Sequence, residues 1–118
     1  MKGLDTYQEV AITTQNRGRL VVMLYDGAIK FLKLAINELN AGNMEEKWNY
    51  IKKALDIICE LNTGLDMEAG GEVAANLRRL YMFMGRHLNE ANIKKDPRMI
   101  EEVIKLLEEL NQGWKAIA

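Results

Sequence analysis

The apolar positions recur with a helical period over long stretches, and three short polar breaks separate those stretches. Met44, Trp48, Ile51, Leu55, Ile58, Asn62 and Leu65 follow one another at alternating spacings of four and three, with Asn62 the polar member. Tyr50, Ala54, Ile57 and Leu61 widen that stripe. Val73, Leu77, Leu80, Met84, Leu88 and Ala91 form a second stripe, and Ile100, Val103, Leu107, Leu110, Trp114 and Ile117 a third. Antiparallel bundle helices need this alternation to keep one face on a shared core. The breaks carry their own chemistry. Ala41-Gly42-Asn43 reads as a glycine C-cap followed by an Asn N-cap, with Glu46 placed to complete a capping box. Ala69-Gly70-Gly71 is the second break, and Asp96-Pro97 the third, with Asp as N-cap and the chain's one proline at the first helical position. The expected fold is an all-α antiparallel four-helix bundle in one domain, 1–118, with helices over 17–41, 43–68, 71–93 and 96–116. A short extra N-terminal helix or segment, 1–15, is expected to precede it and to be mobile.

The first bundle helix departs from the pattern. Leu20-Val21-Val22-Met23-Leu24-Tyr25 is apolar all round, and Ala28, Ile29, Phe31, Leu32, Ala35, Ile36 and Leu39 continue on two faces. A bundle helix keeps one face wet, so the excess apolar surface points to a partner. Ahead of it, Leu4, Tyr7, Val10 and Ala11 share one side of an amphipathic piece that Thr13-Thr14-Gln15-Asn16 sets apart. Too short to be stable alone, that piece is expected to dock on the bundle and to be displaceable.

Composition narrows the function. The 118 residues are 48% hydrophobic but only 7% aromatic, a mixture that favours helix over strand and can bury a core. Sixteen basic and seventeen acidic residues leave a net charge of -1, so nucleic acid is not an expected partner. The N-terminus lacks a signal-peptide core, and no apolar run approaches the ~20 residues of a membrane span. The expected location is cytoplasmic, with no membrane insertion. A single cysteine excludes an internal disulfide.

Candidate chemistry is sparse. His87 is the only histidine, so two-histidine metal motifs are excluded, and Met84 stands where a di-iron bundle needs Glu. Histidine phosphotransfer domains are also four-helix bundles of this size. They carry Lys three residues after the histidine and Gly next, where this chain has Glu90 and Ala91. An acidic neighbour repels an incoming phosphoryl group, and His87 reads as a partly exposed structural residue. Cys59 reads as a small buried apolar residue. No catalytic residue, metal site or cofactor is expected, and the chain is not expected to be an enzyme. Of the methionines, Met44 and Met84 fall on core stripes, whereas Met23, Met82 and Met99 lie off or beside them and suit an exposed groove. Gly27, inside a strong helical pattern, suits a close helix crossing or a partner contact.

Val22-Met23-Leu24-Tyr25-Asp26-Gly27-Ala28-Ile29-Lys30-Phe31-Leu32 resembles the signature of FliS-type flagellin export chaperones. So does the run from Leu65 through Gly70-Gly71-Glu72 to Leu77, followed by Leu80-Tyr81. The resemblance covers nearly the whole chain in order. It departs at Asn16-Arg17-Gly18, where the family often has a Ser-Pro pair, although Thr14 or Asn16 can still cap the helix. The resemblance implies a cytosolic export chaperone that binds the disordered C-terminal region of flagellin. It further implies that binding prevents premature polymerisation and that flagellin is delivered to the gate of the flagellar type III export apparatus. The client wraps the bundle as helices and extended segments, moving aside an N-terminal segment that covers part of the groove. The candidate partner-binding residues are Leu4, Tyr7, Val10, Leu20, Met23, Leu24, Tyr25, Tyr81 and Met82. A histidine phosphotransfer bundle and a structural oligomerisation module are the alternatives, and the oligomeric state is left as monomer or swapped homodimer.

Overall fold

The computed structural model describes the backbone of residues 2–118 and the side chains of residues 17–118. Four helices follow one another: α1 (Lys2–Asn40), α2 (Met44–Thr63), α3 (Met67–Lys94) and α4 (Pro97–Ile117). α1 packs along α2 and α4, and α3 closes the square against the same two, leaving α1 and α3 on a diagonal. The result is an all-α antiparallel four-helix bundle. α1 includes Thr13–Asn16, where the sequence suggested a separation. Those four residues have modest helix propensity, but no proline or capping glycine stops the helix there.

The helix ends show which local signals act. Gly42 takes the left-handed conformation, φ +83°, that ends α1. Asn43 does not cap α2, because its Nδ2 turns back to donate to Glu38 at 2.8 Å. The expected box with Glu46 is thus not formed. The second break comes earlier than Gly70-Gly71. α2 stops at Thr63, and the Asp66 carboxylate accepts from the backbone N–H of Glu68 and Ala69 at 3.2 and 2.9 Å, which starts α3 at Met67. Gly71 instead kinks α3, with φ 51° and ψ -126°, a backbone region open essentially to glycine alone. Just past the kink the face changes: Ala74 is buried, and Val73, expected on the core stripe, is exposed. Asp96 caps α4 through the Arg98 N–H at 2.9 Å, with Pro97 in the first turn.

The stripes otherwise converge on one core. Leu32, Ile51, Met84, Leu88, Ile100, Val103 and Leu107 are fully buried there, with Trp48, Leu55, Leu80, Leu110 and Trp114 packed half-buried around them. Met99 packs against this core rather than lining an open groove. Ile117, on its stripe but at the last turn, is exposed. Cys59 is exposed as well, since it follows Ile58 by one position and so points away from the face that Ile58 buries.

Two polar ties cross this core. The hydroxyls of Tyr25 and Tyr81 meet at 2.5 Å across the α1–α3 diagonal, and Trp114 of α4 lies against Tyr25 with ring centroids 6.3 Å apart. At the other end, the buried Lys47 of α2 donates from Nζ to the carbonyl oxygen of Asn92, 3.1 Å away in the last turn of α3. A cation there adds a second donor to a last-turn carbonyl that also accepts from the Lys95 N–H at 3.4 Å, and it meets the negative end of the helix dipole.

Burial, followed by the bond to the other hydroxyl and its charge, pushes Tyr81 well above the ordinary tyrosine value, and burial raises Tyr25 too. The unfolded chain ionises both near pH 10.0, while the folded chain holds both protons. Their contribution to stability is therefore intact below pH 10 and lost as pH rises above it. Burial, and then the charge of Lys95, lowers Lys47. That group acts oppositely, because its folded form releases a proton more readily and gains stability as pH rises towards 10.5. The two phenols outnumber it, so unfolding monitored by circular dichroism should show a net loss of stability above pH 10. Replacing either tyrosine with Phe orphans the other hydroxyl and should cost about 1–3 kcal/mol. The double replacement should cost less than the sum of the singles, a coupling that additive costs would refute.

Candidate partner-binding surface

Tyr25 points into the core, so residues about half a helical turn away from it point outward. Leu20, Met23 and Gly27 lie on that outer side at i, i+3 and i+7. Leu20 is 55% and Met23 68% exposed. A Cβ added at Gly27 would stand 3.4 Å from Ile57 Cδ1 of α2, an ordinary van der Waals distance. Nothing in the free chain therefore demands glycine here. Its effect is to leave the α1 backbone shallow between the stripe and the α1–α2 seam. Leu24 is half-buried at the core's edge. Farther along, the seam is closed by Phe31 stacked on Tyr50, ring centroids 6.2 Å apart, with the Lys53 ammonium over both rings at 5.4 and 5.6 Å. The apolar stripe is thus open at the Leu20 end and roofed at the other.

On its opposite flank α1 is tied to α4. Asp26 accepts from Asn111 Nδ2 at 2.8 Å and lies 3.6 Å from Lys115 Nζ. Sequence reasoning gave Asp26 no structural part. Its signal was a carboxylate interrupting a run of apolar residues.

The candidate residues do not form one surface. Leu20, Met23 and Leu24 stand together. Met82 is 51% exposed, but it belongs to α3, across the diagonal from α1. Tyr25 and Tyr81 are 0% and 3% exposed, and their hydroxyls are hydrogen-bonded to each other. They are core residues of the bundle and present nothing at its surface. Leu4, Tyr7 and Val10 lie outside the residues whose side chains are described. Phe83, 37% exposed, and Ile93 were not singled out from the sequence. Each stands off the buried stripe of α3, and that offset was the available signal.

Elsewhere a hollow of about 470 Å³ separates α1 from α4, lined in part by Lys33, Ile36, Ile104 and Glu108. Lys33 and Glu108 approach to 3.9 Å there. No group of histidine, cysteine and carboxylate side chains fit to hold a metal occurs among the described residues, and no helix among them is long and apolar enough to cross a membrane.

The family model described as flagellar protein FliS matches residues 1–118. The chain belongs to that family. Among its curated relatives, the flagellar secretion chaperone FliS of Vibrio cholerae is 38% identical over 99% of this chain and 90% of its own length. The protein of that name from Salmonella typhimurium is 39% identical over 98% of this chain and 90% of its own length. The Bacillus subtilis chaperone is 37% identical over 92% of this chain and 80% of its own length. These relatives are named for a chaperone role, which is not enzymatic, and the chain is not an enzyme. Family membership also displaces the phosphotransfer alternative. His87, the residue that alternative needs, is bonded through Nε2 to Glu102 Oε2 at 2.8 Å.

Gly27→Ala should stabilise the free protein by up to about 1 kcal/mol, since the added methyl meets no hard obstacle and alanine is the better helix former. Denaturant unfolding measures this. A loss of stability would show a tighter α1–α2 crossing than the 3.4 Å contact.

Proposed function

We propose that the chain is a cytoplasmic export chaperone that binds the disordered C-terminal region of flagellin, prevents its premature polymerisation and delivers it to the flagellar type III export apparatus. The relatives' names support the secretion-chaperone part of this reading. The observation that carries the binding part is the Leu20–Met23–Gly27 stripe: two large apolar side chains in water beside a glycine that the free fold does not need. A client helix laid on it buries both anchors and approaches the backbone closely at Gly27, in the manner of helix-in-groove recognition. Met23 suits such a surface because its unbranched side chain adapts to the client's shape. In this proposal Leu4, Tyr7 and Val10 act as a built-in competitor that lowers apparent affinity until the client arrives. A component of the export gate then receives the loaded complex.

Titration calorimetry with a peptide from the C-terminal region of flagellin tests the reading. The expected result is a tight complex with a large negative heat-capacity change and a gain of helix on mixing. Met23→Glu should weaken it by about tenfold or more while leaving the melting temperature near that of the parent chain. Absence of binding at tens of micromolar peptide would sink the proposal. Binding that ignores Met23→Glu would move the client to another face.

A further inference from the structure

α1 carries two apolar stripes side by side. Val21, Tyr25, Ala28, Leu32 and Ala35, at spacings of four, three, four and three, face the core. One position back, Leu20, Leu24, Gly27, Phe31 and Leu34 repeat the same spacings along the α1–α2 seam. From Leu20 to Leu34 is fourteen residues, about 21 Å or four turns of helix. The first three members form the open part of the seam. Phe31 continues the stripe but is covered: its ring stacks on Tyr50 of α2, and the Lys53 ammonium lies over both rings at 5.4 and 5.6 Å. Leu34, one turn farther, is again only half-buried. The cover is therefore local, a single flexible side chain laid across an apolar track that runs on past it.

Little holds that side chain down. Lys53 is exposed, and no ion pair among the described residues involves it. Cation–π attraction at an exposed site is weak. Lys53 also has a second place to go. Asp56, one turn on along α2, lines the same hollow of about 360 Å³ and takes part in no ion pair among the described residues. A lysine–aspartate pair at that spacing on a helix surface is weak as well, so neither position of the ammonium is strongly preferred. Of the other charges lining the hollow, Glu46 accepts from Asn49, and Lys52 lies over the Trp48 ring.

We propose, resting on the client role proposed above, that Lys53 is a displaceable cover over the far part of the client groove. A client helix seated on Leu20 and Met23 reaches Phe31 about two turns beyond Met23. There one of its apolar side chains takes the place of the ammonium on the Phe31 and Tyr50 rings, and Lys53 swings to Asp56. The exchange gives up a weak contact in water and gains buried apolar surface. A helix that ends at Gly27 gains nothing from it. The partner that fits is thus an amphipathic helix of about four turns, apolar at three-and-four spacing. The turn that meets Lys53 carries no lysine or arginine, because a second cation there is repelled.

Nuclear Overhauser measurements and calorimetry with a peptide from the C-terminal region of flagellin test this. In the free chain the Lys53 methylenes should show contacts to the Phe31 and Tyr50 ring protons. Saturation with the peptide should replace them by contacts from peptide side chains. Lys53→Ala removes the cover and should bind the peptide about two- to fivefold more tightly than the wild type, the worth of an exposed cation–π contact. Lys52→Ala removes the same charge from the preceding residue and should leave the affinity unchanged. Both positions are exposed and alanine is a strong helix former, so both variants should fold as the parent does. Peptide binding with the Lys53 contacts intact overturns the cover and leaves the client reading in place. So does a Lys53→Ala affinity no better than that of the wild type. An equal gain from Lys52→Ala reduces the effect to net charge and overturns the cover too. No binding by either the wild type or Lys53→Ala at tens of micromolar peptide defeats the client reading, and the cover with it.

Discussion

The hydrogen bond between Tyr25 and Tyr81 constrains more of this molecule than its own strength suggests. Two hydroxyls are carried into the core, where each has the other as a hydrogen-bond partner. The bond joins α1 to α3, the diagonal pair whose backbones do not approach each other. Once Tyr25 must point inward, the rotation of α1 about its axis is set, and Met23, two residues away, must point outward. The exposed stripe is thus a consequence of the core. That stripe needs no contacts of its own to stay outward, because a buried polar pair at nearly the same height fixes the helix that carries it.

The two ends of the bundle are secured differently. At the end where α1 passes into α2, Lys47 joins the first turn of α2 to the last carbonyls of α3, and the left-handed Gly42 and Lys95 close the neighbouring helices. At the opposite end the ties are Asp26 to Asn111 and Lys115, half in water, together with Trp114 on Tyr25. Solvent-exposed ion pairs contribute little. The end that presents Leu20 and Met23 is consequently the one whose polar ties are more readily exchanged.

Much of this was legible in the sequence for a definite reason. Burial on one face of a helix writes a three-and-four spacing, so Ile51, Met84, Ile100 and Leu107 could be placed in the core from spacing alone. The excess apolar character of α1 was equally visible, and Met23 and Met82 do stand in water. What the pattern does not carry is the competition among local hydrogen bonds. Asp66 captures two backbone N–H groups and starts α3 before the glycine pair, while Asn43 prefers Glu38 to the helix it precedes. Nor does spacing reveal diagonal partners. Tyr25 and Tyr81 look like amphipathic surface residues until each is seen to be the other's solvent, and Cys59 looks like core until the neighbouring Ile58 takes that face.

The exposure of Cys59 has a practical side. As the chain's single thiol it has no intramolecular partner, and any disulfide it forms joins two molecules through their α2 helices. In air-oxidised solution the protein can therefore become covalently paired, which makes reducing conditions a requirement for any measurement of its mass. The same thiol offers a single point of attachment for a fluorophore or spin label on the unmodified chain, set on the wet side of a helix whose opposite side lies in the core.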